Sequence, residues 1–156
     1  MITQERLRQV LDYDPENGKF VWKIKLSRKT VIGAEAGTPS KGYIAIRIDG
    51  VSYLAHRLAW LFMTGIWPVY EIDHKNTYGR DNRWQNLRLA SRRQQRANSN
   101  KGVRNTSGFK GVDWDKRKSK WRAKLCGKHI GYFDNAKAAS EAYKIAANKL
   151  FGEFAR

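Results

Sequence analysis

Cysteine is almost absent from this chain. The single thiol, Cys126, excludes a disulfide framework and fits a reducing, intracellular setting. Cys126-x-x-His129 has the spacing of a zinc ligand pair, yet no second Cys/His pair accompanies it, and a structural zinc takes four ligands. Acidic residues are also scarce, 14 against 31 Lys and Arg. No stretch approaches the roughly 18 apolar residues of a membrane span. The basic residues do not line one face of a long amphipathic helix, so no membrane partner is expected. The charged start Met1-Ile2-Thr3-Gln4-Glu5-Arg6 lacks the apolar core of a signal peptide.

What is abundant is positive charge, a net +17 in 156 residues. Such a surplus points to a polyanion, because cationic side chains gain affinity by releasing counterions from phosphates. Residues 1–53 hold nine basic and six acidic side chains, residues 54–100 eight and three, and residues 101–156 fourteen and five. Basicity therefore rises toward the C-terminus. Nothing in the sequence implies a protein partner.

Three modules are expected, each small enough to be marginal alone. In residues 1–53, Ile2, Leu7, Val10 and Leu11 suit a short helix, ended by the turn Asp14-Pro15-Glu16-Asn17-Gly18. Lys19–Lys23 alternates like a half-buried strand, and strands at Tyr43–Ile48 and Val51–Leu54 are joined by Asp49-Gly50, a two-residue hairpin signal. This segment reads as a β-rich platform without chemistry of its own.

Residues 54–100 carry the chemistry. Ala55–Thr64 has helical spacing (Leu58, Leu61, Phe62) and Gly65 as its stop. A short strand, Glu71–His74, is followed by a polar loop, Lys75–Gln85, a second strand, Leu87–Ala90, and a polar helix, Arg92–Ser99, headed by Ser91. Asp73 offers the carboxylate oxygens that a hard divalent cation prefers. His74 offers an imidazole suited to proton transfer near neutral pH. Amides around Asp81-Asn82-Arg83 and Asn86-Leu87-Arg88 can hold that histidine, while Asp81 and Asn82 suit loop-shaping bonds to the backbone. His56, at the start of an apolar helix, suits a hydrogen-bonded structural role.

His56-Arg57-Leu58, Ile72-Asp73-His74-Lys75-Asn76, Asp81-Asn82-Arg83, Asn86-Leu87-Arg88 and the amide-rich helix resemble the HNH endonuclease family, in particular its intron- and phage-encoded homing branch. The resemblance implies a ββα-metal finger holding one Mg²⁺ or Mn²⁺. In it Asp73 is a metal ligand, His74 the base that deprotonates water, and Asn86 the residue that orients His74. The second ligand falls on the helix, where the family places His or Asn; here that place is Gln95, with Asn98 one turn on, and either would serve. Arg57, Arg92, Arg93 and Arg96 would hold phosphates.

Residues 107–156 read as strands at Phe109–Asp113, Lys120–Leu125 and Lys128–Phe133, then a helix over 136–150 capped by Asp134 or Asn135. Phe109-Lys110-Gly111-Val112, Lys120-Trp121-Arg122-Ala123-Lys124-Leu125, Gly131-Tyr132-Phe133-Asp134 and Ala138–Tyr143 resemble the Apetala-type (ethylene-response-factor) DNA-binding domain. That family lays a three-stranded antiparallel sheet in the major groove, backed by one helix. The resemblance makes Lys110, Arg117, Trp121, Arg122, Lys124 and Lys128 DNA contacts. Asp113 and Asp115 stand where the plant domains place base-reading arginines, so no base preference carries over.

The expectation is thus an α+β protein: a β-rich N-terminal platform, a central ββα-metal finger and a C-terminal DNA-binding sheet. Its expected activity is metal-dependent hydrolysis of double-stranded DNA, by nicking, of homing type. The alternative is a catalytically degenerate DNA-binding protein or transcription regulator. RNA binding fits the charge but not the groove-reading sheet.

Overall fold

A computed structural model describes residues 1–156. The chain is mixed α and β, with four small antiparallel sheets, and its contacts divide it into two compact units, residues 1–91 and 92–156. No helix is long and apolar enough to cross a membrane.

In the first unit, Thr3 caps helix α1 (Gln4–Val10), its hydroxyl accepting from Arg6 N at 3.2 Å. Leu11 does not continue that helix, as its spacing suggested. It opens strand β1 (Leu11–Asp14), which pairs with β2 (Lys19–Trp22), Leu11 opposite Trp22. Tertiary pairing overrides the helical pattern there. The hairpin turn is shaped by the Asp14 carboxylate, which accepts from Glu16 N at 2.8 Å. A second sheet runs in the order β3 (Thr38–Ser40), β4 (Tyr43–Ile48), β5 (Val51–Leu54), with the β4–β5 turn at Asp49-Gly50 as expected. Helix α2 (Ala55–Thr64) follows at once and stops at Gly65, whose left-handed backbone (φ 79°) closes the last turn. Strands β6 (Glu71–His74) and β7 (Leu87–Ala90) then pair, with Asp73 opposite Arg88 and His74 opposite Leu87.

One core serves this whole unit. Leu7, Val10 and Leu11 meet Phe20, Ile46, Ile48, Leu58 and Leu61, and Ile72 and Leu87 of the β6–β7 pair join them. The segment 1–53 thus shares its apolar interior with the segment that carries Asp73 and His74. Burial of each such side chain contributes about 1.5–3 kcal/mol, so the strands that carry Asp73 and His74 are anchored by residues far from them in sequence.

In the second unit, α3 (Arg92–Asn98) precedes a sheet ordered β10 (Lys128–Phe133), β9 (Lys120–Leu125), β8 (Val112–Asp115). Helix α4 (Ala136–Phe151) covers one face through Ala139, Tyr143 and Ala147, against Val112, Ala123 and Leu125. Strand β8 starts at Val112 instead of Phe109. Gly111 takes φ 70°, and a Cβ there would meet the Tyr143 ring at 2.3 Å; the Asn105 amide and Ser107 hydroxyl also hold the Phe109 and Val112 carbonyls in a turn. Asn135, not Asp134, caps α4, accepting from Ala138 N at 2.8 Å; Asp134 pairs with Lys120 instead.

Candidate active site

His74 is the last residue of β6 and is buried, with 5 % of its surface exposed. Its ring is walled by two others: His56 lies edge-on at 5.0 Å between centroids, and Tyr43 at 5.9 Å. Its Nε2 faces Asn82 Oδ1 at 3.3 Å. An Nε2–H donated to that oxygen leaves the lone pair of the neutral imidazole on Nδ1. Burial holds the His74 pKa below its ordinary value, opposed by the Asn82 bond and by the charges of Asp73 and Asp81.

His56 is a different kind of histidine. Burial first, then the neighbouring His74 and Arg57, push its pKa down to about 3, so it is neutral. Its Nδ1 has no hydrogen-bond partner. The expected hydrogen-bonded role is therefore corrected at this atom: His56 acts through its ring, as a packed wall behind His74.

Asp73 is also buried. Its Oδ2 accepts from Arg88 Nε at 2.9 Å across the β6–β7 pair, and Arg88 Nη2 stands 2.9 Å from the same oxygen as an ion-pair contact. Opposite charges set directly across a strand pair stabilise it, and here both groups are withdrawn from water. The Asp73 carboxylate supplies the hard oxygen donors that a divalent cation prefers, and Arg88 holds the charge of that carboxylate in the structure as it stands. No group of three or more His, Cys, Asp or Glu side chains converges as a ready-made cage. A Mg²⁺-type ion held by one carboxylate, with water and phosphate oxygens completing its shell, needs no such cage.

The loop between the strands is held by an amide network. Asn86 Oδ1 accepts from Asn76 N at 3.0 Å, and its Nδ2 donates to Asn76 Oδ1 at 3.1 Å and to Asp81 O at 2.7 Å. This corrects the role expected for Asn86. It clasps the loop and does not reach His74; the amide that faces His74 is Asn82, four residues earlier. Asp81 accepts from Asn76 Nδ2 at 2.7 Å and from Arg83 Nε at 2.8 Å, and the Arg83 guanidinium holds its carboxyl below the usual range.

The N-terminal hairpin braces this loop from behind. Tyr13 Oη donates to Asn82 O at 2.7 Å, and Trp84 N donates to Pro15 O at 2.9 Å. Gly18, at φ 75°, lies so close that a Cβ would fall 2.3 Å from Arg83 N and 2.4 Å from Asn82 C. On another side Gly79 approaches Tyr43, where a Cβ would stand 2.8 Å from the ring. Nothing in the sequence of residues 1–53 signals these contacts, because each joins positions more than thirty residues apart.

Residues 53–97 match the HNH endonuclease family. The HNH match runs from β5 through α2, β6 and β7 into α3, and so contains Asp73, His74, Asn82 and Asn86. It also contains the expected phosphate contact Arg57, whose Nη2 donates to Pro68 O at 3.5 Å and whose guanidinium lies 5.8 Å from the Trp67 ring centre. Neither the curated proteins nor the solved structures include a match to this chain.

The remaining expected residues lie in the second unit. Gln95 is half-buried and Asn98 buried on α3, while Arg92, Arg93 and Arg96 are exposed. Lys110 has other work than DNA contact. Its ammonium donates to the carbonyls of Arg96, Ala97 and Ser99, closing the C-terminal end of α3. Trp121 is half-buried, packs against the second core and sits edge-on to Trp114 at 5.2 Å. Arg122 is held by ion pairs to Asp113 and, at 2.9 Å, to Asp115, so its charge is met within the sheet. Arg117 and Lys128 are exposed and Lys124 half-buried.

Proposed function

We propose that this chain is a metal-dependent HNH endonuclease of homing type, which nicks double-stranded DNA. The observation that carries the reading is the pairing of buried Asp73 and His74 at the end of one strand, within the HNH-matched segment, with an amide aimed at the His74 ring. In this reading His74 accepts the proton of a water as its oxygen attacks phosphorus. The P–O3′ bond breaks, leaving a 5′-phosphate, and the departing 3′ oxygen takes a proton from solvent. Asn82 fixes the tautomer and tilt of His74, and the Asn86 clasp fixes the loop that carries Asn82. Asp73 would be a ligand of Mg²⁺ or Mn²⁺; when bound, the ion would stabilise negative charge on the phosphoryl and departing oxygens. Arg57, Arg92, Arg93, Arg96, Arg117, Lys124 and Lys128 would bind phosphates, the basic C-terminal unit adding affinity for DNA.

A second reading has an observation of its own. Arg88 already neutralises Asp73, and amides stand where the helix needs a ligand, as in a binding protein that has lost catalysis. Supercoiled plasmid with Mg²⁺ or Mn²⁺, with and without EDTA, separates the two. The nuclease reading expects nicked circles that require metal and fall about 10²–10⁴-fold in His74→Ala. Retained DNA binding with no metal-dependent nicking would leave the binding protein.

A further inference from the structure

The second unit contains a cavity of about 670 Å³ lined by Arg92, Arg93 and Arg96 of α3, by Lys110, by Lys124 of β9 and by Cys126, with no Asp or Glu among its lining residues. Its volume is in the range of ligand sites. The Lys110 ammonium is committed to the end of α3, so it stiffens the cavity. The Arg93 guanidinium is carried on the Phe151 ring, 5.5 Å from its centre. Cations thus reach one concave surface from a helix and from a strand.

We infer that this cavity seats the phosphodiester backbone of duplex DNA, a contact built wholly within residues 92–156. The inference rests on the reading of the chain as a DNA-acting protein. Two observations choose the backbone over bases. The cavity's aromatic residues offer no open stacking platform: Arg93 covers Phe151, and Tyr143 is buried in the second core. Single-strand readers need such a platform. The sheet face that would otherwise read a groove has its central arginine, Arg122, tied to two carboxylates. Phosphate contacts from Arg93, Arg96 and Lys124 fix position along DNA without specifying sequence.

Cys126 is the only cysteine of the 156 residues and is exposed in this cavity, so it reports occupancy in the unmodified chain. Alkylation by N-ethylmaleimide, an uncharged probe, is followed with and without a saturating short duplex. The expected result is about tenfold slower alkylation with DNA, restored at high salt. An unchanged rate while a gel shift shows DNA bound would overturn the seat. So would protection by inorganic tripolyphosphate but not by DNA, which would mark a small-anion site. As a second measure, Arg93→Gln/Arg96→Gln/Lys124→Gln is compared with the equally neutralised Lys116→Gln/Lys137→Gln/Lys149→Gln. Each lost phosphate contact lowers the slope of log affinity against log salt by about 0.9, so the cavity triple should lose roughly 2–3 and the control clearly less. Equal losses would reduce the effect to net charge and overturn the proposal. If wild type fails to nick while DNA still protects Cys126, only the nuclease reading falls; nicking without protection defeats the seat alone.

Discussion

The two units handle polar groups in opposite ways. Residues 1–91 bury Thr30, His56, Asp73, His74, Asn82 and Asn86, whereas residues 92–156 bury only Asn98, Asp115 and Ser140. The first unit carries fourteen basic against nine acidic residues, the second seventeen against five in a shorter chain. A buried polar group costs stability unless it is bonded, so it persists where position matters. A surface cation costs little and acts at a distance. The contrast assigns geometry to the first unit and electrostatic attraction to the second.

Changing Gly18 to Ala should break that contrast most sharply. The new Cβ would meet backbone atoms of Arg83 and Asn82, and the residue would keep a left-handed φ. Strain and overpacking together should cost about 2–5 kcal/mol by urea melt and reduce nicking, with DNA affinity within about twofold, a tolerance well under one unit of log Kd. Gly50→Ala is the control: its φ is 81° but its Cβ meets nothing within 4 Å, so it should cost only about 1–2 kcal/mol. Equal costs at the two sites would mean that the hairpin does not brace the loop.

Asn82→Ala should lower the nicking rate about tenfold, the worth of one hydrogen bond, again with DNA affinity unchanged. If Asn86→Ala slows nicking while Asn82→Ala does not, the assignment of the orienting amide made here is reversed. The smallest effect concerns acid. Asp81 has a depressed carboxyl pKa, so its stabilising contribution is present above the usual carboxylate range and lost as pH falls through the lowered value. Wild type should lose denaturation midpoint through that window more than Asp81→Asn does. Parallel pH curves would show that the Asp81–Arg83 pair leaves the loop indifferent.

Much of the local structure was legible in the sequence. The Asp49-Gly50 hairpin and strands Lys120–Leu125 and Lys128–Phe133 follow from turn chemistry and short-range pattern, which also narrow the α4 cap to Asp134 or Asn135; the fold uses Asn135. Asp73 and His74 stood out by residue type and spacing. What stayed hidden depended on contacts between distant segments. Several asparagines crowd residues 76–86, and only the folded loop distinguishes Asn82, which faces His74, from Asn86, which clasps the loop. Lys110 reads as one more basic residue until the end of α3 is placed beside it. Leu11 fits a helix until Trp22 claims it for a strand.

The brace formed by the Asp14–Gly18 turn has a practical consequence for anyone who would transplant this chemistry. The segment that matches the HNH family is not a portable cassette. Excised at residue 53, it would leave behind Tyr13, Pro15 and Gly18, which grip its loop, along with most of the apolar interior beneath its strands. A graft that keeps Asp73 and His74 and discards the hairpin would carry the vocabulary without the grammar.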